Sequence, residues 1–233
     1  MPASPADVRA ARHALYERGT APGDDGDVPV LPHGLERVDS DGLAALALAE
    51  GVQTTLEVGA GIGVGTLAIC EALLEVSGQG DHTVVDPFAF GGDVGVHTIR
   101  DAGVEPLVTR LREPSQLALP RMAGEGRSFD LILVDGGHRF DDVFLDLVYA
   151  DRLLAPGRVV VIDDLWMPAV RAATSYIERN LGYALEPGAL PEGFRPLRTL
   201  VPGRRRSRGR VAVLRKPAAE RERGWDDYQG LDA

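Results

Sequence analysis

Two acidic clusters follow apolar, β-branched runs. Phe129-Asp-Leu-Ile-Leu-Val leads into Asp135-Gly-Gly-His138, and Arg158-Val-Val-Val-Ile leads into Asp163-Asp164. Carboxylates gathered in one place repel one another unless protons or a cation intervene. Hard divalent ions such as Mg²⁺ take oxygen ligands in octahedral array. Asp135, Asp163 and Asp164 are therefore candidate metal ligands. His138 beside them is a candidate general base, since a histidine titrates at about 6.5 and suits proton transfer at neutral pH. Simpler roles stay open for each: Asp163 or Asp164 as the cap of the next helix, Asp135 as the shaper of a Gly-Gly turn, His138 as a loop residue capping a helix. Adjacent strand residues face opposite sides, so Asp163 and Asp164 converge only if the backbone turns there.

A second group of residues has the spacing of a cofactor site. Thr55-Leu-Glu-Val-Gly-Ala-Gly-Ile-Gly-Val-Gly65 places glycines directly after a short apolar run. Glycine there lets the backbone turn sharply and come close to a ligand, and the helix that follows offers free N–H groups to an anionic moiety. Dinucleotides and S-adenosylmethionine both use such a junction. The dinucleotide fingerprint G-x-G-x-x-G/A counted from Gly59 and Gly61 reaches Val64, which fails it. A formal match at Gly63, Gly65 and Ala68 begins several residues past the strand. Glu57-x-Gly59-x-Gly61-x-Gly63 resembles motif I of the class I methyltransferases, with an acid closing the first strand. Asp86 ends the next strand, where a carboxylate accepts both ribose hydroxyls of either cofactor. Ser115, after a third strand, either reaches an adenine nitrogen or caps its helix. Together with Asp135 at the border with the acidic cluster, these residues form the expected cofactor site.

The elements that must position them alternate. Leu43 to Glu50 reads as a helix capped by Asp39 or Ser40, Thr54 to Val58 as a strand, Thr66 to Val76 as a helix and His82 to Val85 as a strand. Further strands are expected at Pro106 to Thr109, Phe129 to Val134 and Arg158 to Ile162. Val143, Leu147, Ala150 and Leu154 mark a helix between the last two, with Gly157 as punctuation, and Ala169 to Leu181 reads as the next helix. Strands near Leu197 to Val201 and Arg210 to Leu214 are joined by a link too short for a parallel crossover, which predicts an antiparallel hairpin. The order describes a doubly wound, Rossmann-like α/β sheet, mostly parallel, with a C-terminal antiparallel hairpin. One domain spans residues 39–216. Residues 1–38 form an N-terminal extension, partly loop, with a helix over Ala6 to Arg18 and turn formers over Gly19 to Gly26; residues 217–233 form a C-terminal tail. The basic run Arg204-Arg-Arg-Ser-Arg-Gly-Arg210 is either a solvated turn or a grip on an anion. Trp166 and Met167 either wall an acceptor pocket or pack in the core. Trp225 and Tyr228 in the tail either cover the site, meet a second subunit or stay mobile.

Composition narrows the function classes. With 25 basic and 35 acidic residues the chain of 233 carries a formal charge of −10, which disfavours nucleic acid and anionic membrane surfaces as partners. Cys70 is the only cysteine, so neither an internal disulfide nor a Cys-based zinc site is expected. The longest wholly apolar run, Leu43 to Ala49, falls far short of the roughly 20 residues of a membrane span. The first residues lack the apolar stretch of a signal peptide. The expected partner is a small molecule and the expected location the cytoplasm; a homo-oligomer is compatible with all of this.

Taken together, the glycine run, Asp86, Asp135-Gly-Gly-His138 and Asp163-Asp164 resemble the metal-dependent class I O-methyltransferases. The match is nearest to the branch that methylates sugar hydroxyls of macrolide antibiotics, the mycinamicin and macrocin enzymes, and covers about residues 40–216. The resemblance implies Mg²⁺ held by Asp135, Asp163 and Asp164, with His138 as the base. Catechol-type relatives usually carry Asp-Asn at the second pair and a lysine as base. This chain has Asp-Asp, and its sole lysine, Lys216, lies in the last strand, which favours histidine chemistry. The implied reaction is methyl transfer from S-adenosylmethionine to one oxygen of a chelating vicinal diol or sugar. The rivals are an NAD-linked oxidoreductase using the offset glycine match, a non-catalytic protein that kept the fold, and a methyltransferase that needs no metal.

Overall fold

The computed structural model describes residues 3–88, 90–186, 210–219 and 224–230. Helix α1 (Pro5–Arg18) opens with a capping box, in which Asp7 N donates to Ser4 Oγ and Ser4 N to Asp7 Oδ2, and ends on left-handed Gly19. A two-stranded ribbon, β1 (Thr20–Ala21) and β2 (Val28–Pro29), leads to α2 (Arg37–Glu50). The helix starts earlier than the sequence predicts, with Glu36 at the N-cap. Asp39 and Ser40 are buried inside it rather than capping it, because Ser40 accepts a hydrogen bond from the buried Arg12 guanidinium (2.5 Å).

Then follow β3 (Thr54–Val58), α3 (Val64–Ser77), β4 (Asp81–Val85), α4 (Val94–Asp101), β5 (Val108–Leu111), α5 (Ser115–Gly124), β6 (Phe129–Val134), α6 (Phe140–Leu153), β7 (Leu154–Ile162), α7 (Pro168–Leu181), β8 (Ala184–Leu185) and β9 (Ala212–Arg215). The seven-stranded sheet runs β5-β4-β3-β6-β7-β9-β8, parallel from β5 through β7, with β9 antiparallel to both neighbours. This is the expected doubly wound sheet. Its antiparallel end is built differently in detail: the described partner of β9 is β8, directly after α7, and Leu197 to Val201 lies outside the described residues. Gly157 does not end an element but sits within β7 at φ +77°, where the register with β6 shifts.

Strand alternation divides the core into two layers. Leu131, Leu133, Val159 and Val161 pack on the side of α1 to α4, while Leu56, Val58, Ile132, Val134, Val160 and Ile162 pack on the side of α5 to α7. Both faces of the central strands are apolar, as parallel strands covered by helices require.

The N-terminal segment is part of this core. Val8 and Leu15 of α1 join the cluster of Leu67 and Ile69 of α3. Arg12, 1% exposed, reaches Glu71 Oε2 at 2.8 Å and Asp41 Oδ1 at 2.7 Å. A buried guanidinium needs such partners, and removing it strands Glu71 with only the exposed Arg9 (2.7 Å). No helix among the described residues is long and apolar enough to cross a membrane. Arg12→Ala is expected to lower stability by about 3 kcal/mol in urea unfolding; a change within experimental error would show that α1 is not clamped through this pair.

Candidate functional site

The tips of five parallel strands are held level by backbone hydrogen bonds that continue past the strand ends. Gly59 N donates to Val85 O (2.9 Å), Asp86 N to Leu111 O (3.1 Å), Asp135 N to Val58 O (2.9 Å) and Asp163 N to Val134 O (3.1 Å). The residues singled out in the sequence are therefore set side by side at the carboxyl edge of the sheet, where α/β folds bind ligands. A cavity of about 680 Å³ opens there, bordered by Gly59, Gly61, Asp86, Ser115, Asp135, His138, Asp164 and Arg210.

The backbone turn that the Asp pair needs is present: Asp164 has φ +58°, a left-handed conformation that Asp tolerates better than most residues. The turn sends the two side chains to different partners. Asp164 Oδ2 lies 2.7 Å from His138 Nε2, and Oδ1 accepts from Trp166 Nε1 at 2.7 Å. Asp135, His138 and Asp164 each present a ligand atom within 4.8 Å of the others. Asp163, completely buried in its side chain, instead faces Arg210, whose Nε is 3.1 and 3.2 Å from its two oxygens. The group that the structure assembles thus contains His138 in the place expected for Asp163.

The acids of this cluster act on one another through their charge. Burial, followed by the charges of Asp163, Asp164 and Glu57, pushes the Asp135 carboxyl well above its ordinary range. Burial also raises Asp163, although Arg210 opposes it. For Asp164 burial acts in the same direction, but the bonds from His138 and Trp166 outweigh it and hold the carboxyl below its ordinary value. The bond to Asp164 raises the His138 imidazole.

The glycine turn after β3, expected to face a cofactor, shows why its glycines are there. A Cβ on Gly59, which has φ +87°, would collide with the Asp135 carbonyl, so this glycine lets the tips of β3 and β6 meet. A Cβ on Gly65 would lie 2.6 Å from Glu57 Oε1. Gly63, the N-cap of α3, is closed in by Thr98 and Gly95 of α4. Gly63, Gly65 and Ala68 do not border the cavity, so the offset dinucleotide match does not face it. Glu57 is corrected in role: it is 1% exposed and does not border the cavity. It accepts from the Thr66 hydroxyl (2.5 Å) and sits 2.9 Å from His82 Nε2, a buried knot beneath the glycine turn. Gly63 likewise does not border the cavity. Asp86 does: its Oδ2 accepts from Ala60 N (3.0 Å) and its Oδ1 from Phe88 N (2.9 Å), which fixes the carboxylate at the cavity wall.

Ser115 is the first residue of α5, and no side chain caps that helix. Nearby on α6 lies Asp146, a buried carboxyl whose Oδ1 has no hydrogen-bond partner. Burial pushes Asp146 up to about 6.

Several contributors were not legible as site residues. Arg210 belonged to a basic run whose other members, 204–209, lie outside the described residues; the signal was an arginine opening the strand opposite an Asp pair. Pro32, His33 and Gly34 reach the cavity from the segment before α2, and nothing in their types announces it. Trp166 is half-exposed and holds Asp164 rather than bordering the cavity. Of the tail, Gln229 N donates to Asn180 Oδ1 of α7 (2.8 Å), while Trp225 is 97% exposed. Cys70 is a buried residue of α3, its thiol pushed up by burial.

Residues 56–165, a little under half of the chain, match the family model described as a methyltransferase domain. No curated protein matches the chain in sequence. Among solved structures, the O-methyltransferase from Bacillus cereus in complex with SAH is similar over 91% of this chain and 91% of its own, at 15% identity and a TM-score of 0.61. TomG from Streptomyces achromogenes, an O-methyltransferase involved in tomaymycin synthesis and bound to SAM, aligns over 91% and 89% of the two chains at 17% identity and a TM-score of 0.60. SAH-bound methyltransferase PaMTH1 from Podospora anserina covers 90% and 87% at 14% identity and a TM-score of 0.64. At such identities the likeness is one of fold: a Rossmann-like methyltransferase sheet.

Asp146 yields a pH signature. Its folded pKa is raised from about 3.9 to about 6, so its ionisation opposes folding. The penalty is absent below about pH 4, grows between pH 4 and 6, and is full above that. Asp146→Asn is expected to gain on the order of 2 kcal/mol at pH 8 and nothing at pH 4 in thermal unfolding. An Asn variant less stable than the parent at pH 8 would refute an isolated buried charge.

Proposed function

We propose that this chain is an S-adenosylmethionine-dependent O-methyltransferase acting on a hydroxyl of a small molecule, with His138 as the base and a divalent cation, Mg²⁺ or a similar ion, at Asp135 and Asp164. The observation that carries this is the meeting of Asp135, His138 and Asp164 in the same cavity as the glycine turn and Asp86. The methyltransferase-domain match over residues 56–165 and the shared fold support it. The donor set fits a cation, with the Asp135 and Asp164 carboxylates presenting oxygens within 4.8 Å of one another and the His138 imidazole close by as a base. The cavity fits the nucleoside part of the cofactor, with a fixed carboxylate at the tip of β4 and apolar Val85, Pro87 and Phe88 next to it.

When bound, S-adenosylmethionine supplies an electrophilic methyl group, and the cation acidifies and orients the accepting hydroxyl. The residues of this chain do the rest. Asp86 receives the ribose hydroxyls. Ser115, which borders the cavity at the start of α5, offers its hydroxyl to the adenine. Asp164 holds the His138 imidazole through Nε2 and so orients it, leaving Nδ1 to take the hydroxyl proton. Glu57, tied to Thr66 and His82, keeps the glycine turn in place from below. A vicinal diol or sugar suits a pair of acids that leaves most of an octahedral shell to the acceptor and water, in keeping with the resemblance to the macrolide-sugar enzymes.

S-adenosylhomocysteine is expected to raise the melting temperature and NAD to leave it unchanged; the reverse result overturns the methyltransferase reading. Transfer to polyhydroxylated acceptors is expected to vanish with EDTA and return with Mg²⁺. Full activity after exhaustive chelation removes the cation and leaves methyl transfer standing. His138→Ala is expected to lower kcat about 100-fold while S-adenosylhomocysteine binding holds; undiminished turnover would exclude His138 as the base.

A further inference from the structure

Arg210 stands at the mouth of β9, in the middle of the carboxylate cluster. Its carbonyl accepts from Leu165 N (2.9 Å), which pins its backbone against the Asp163–Asp164 turn. Its Nε faces both Asp163 oxygens at 3.1 and 3.2 Å, and its Nη2 lies 3.6 Å from Asp164 Oδ1 and 3.5 Å from Gly34 O. It borders the cavity alongside Asp135, His138 and Asp164. A guanidinium so placed offers only donors and positive charge. It compensates carboxylates as a metal ion does, yet it cannot share a ligand shell with one, and it repels a divalent ion a few ångströms away.

Resting on the cation assigned above to Asp135 and Asp164, we infer that Arg210 is a built-in counter-cation. It withholds Asp163 from the ligand set and thereby sets how tightly the strand tips hold a divalent ion. Two consequences follow from the geometry. Without a metal the acids stay together, because Arg210 already neutralises one of them. With a metal, affinity is moderate, because one carboxylate is engaged and one positive charge stands nearby.

The test is a titration of the full-length chain with Mn²⁺, with S-adenosylhomocysteine present, following the paramagnetic resonance signal of free Mn²⁺. Arg210→Met removes the charge and releases Asp163, and is expected to bind Mn²⁺ at least ~10-fold more tightly than the parent. Arg210→Lys keeps the charge but loses the planar fork, and is expected to stay within about threefold of the parent. Arg210→Gln, which keeps a polar partner for Asp163, repeats the measurement where the Met side chain prevents folding. Unchanged or weaker Mn²⁺ binding in the neutral variants, with the parent binding normally, overturns the role of Arg210 and leaves the cation in place. Absence of Mn²⁺ binding at millimolar concentration in the parent and neutral variants alike removes the cation itself, and this inference with it.

Discussion

Mutual repulsion of carboxylates is the constraint around which the upper edge of this molecule is organised. Asp135 and Asp163 are brought level because each donates its backbone N–H to the neighbouring strand, Asp135 to Val58 O and Asp163 to Val134 O. That ladder is the same one that builds the sheet, so the acids cannot separate without opening β3, β6 and β7 at their ends. The charge has to be met by partners instead. Arg210 faces Asp163, His138 and Trp166 hold Asp164, and Asp135 is left with its ionisation suppressed. Folding thus imposes an electrostatic problem whose solutions gather titratable groups in one cleft, a pattern common at functional sites.

Most of the sheet was legible in the sequence because its signals are short-range. The runs Phe129 to Val134 and Arg158 to Ile162 are apolar on both faces, and only a strand covered on both sides by helices uses such a run. What escaped detection depended on contacts far apart in the chain. Helix α4 buries only Val94, Gly95, Thr98 and Ile99, too weak a pattern to stand out. The start of α2 was displaced because Ser40 answers to Arg12, a residue 28 positions away. Gly157 reads as a terminator by its type, yet the pairing of β6 with β7 continues around it.

The site was legible in its parts but not in its pairings. Asp86, Asp135, His138 and Asp164 all border one cavity, as their positions after strands imply. Which acid faces which partner was not readable, because one left-handed residue, Asp164, decides it and Asp carries no obligatory mark for that conformation. Glu57 shows the opposite error: a residue in the right motif position whose side chain points away from the cavity, into a buried contact with His82 and Thr66. Period-two alternation was sufficient to see this, since Leu56 and Val58 belong to one core layer and Glu57 must therefore face the other.

The clamp between α1 and α3 has a consequence for how the protein divides into interchangeable pieces. Pro32, His33 and Gly34 border the cavity, and they arrive there on the segment that precedes α2. The block of residues 56–165 carries the glycine turn, Asp86 and both halves of the His138–Asp164 pair, whereas one flank of the vestibule comes from upstream. On the function proposed above, acceptor preference can accordingly drift, or be grafted, through that upstream cassette while the groups at the strand tips stay intact.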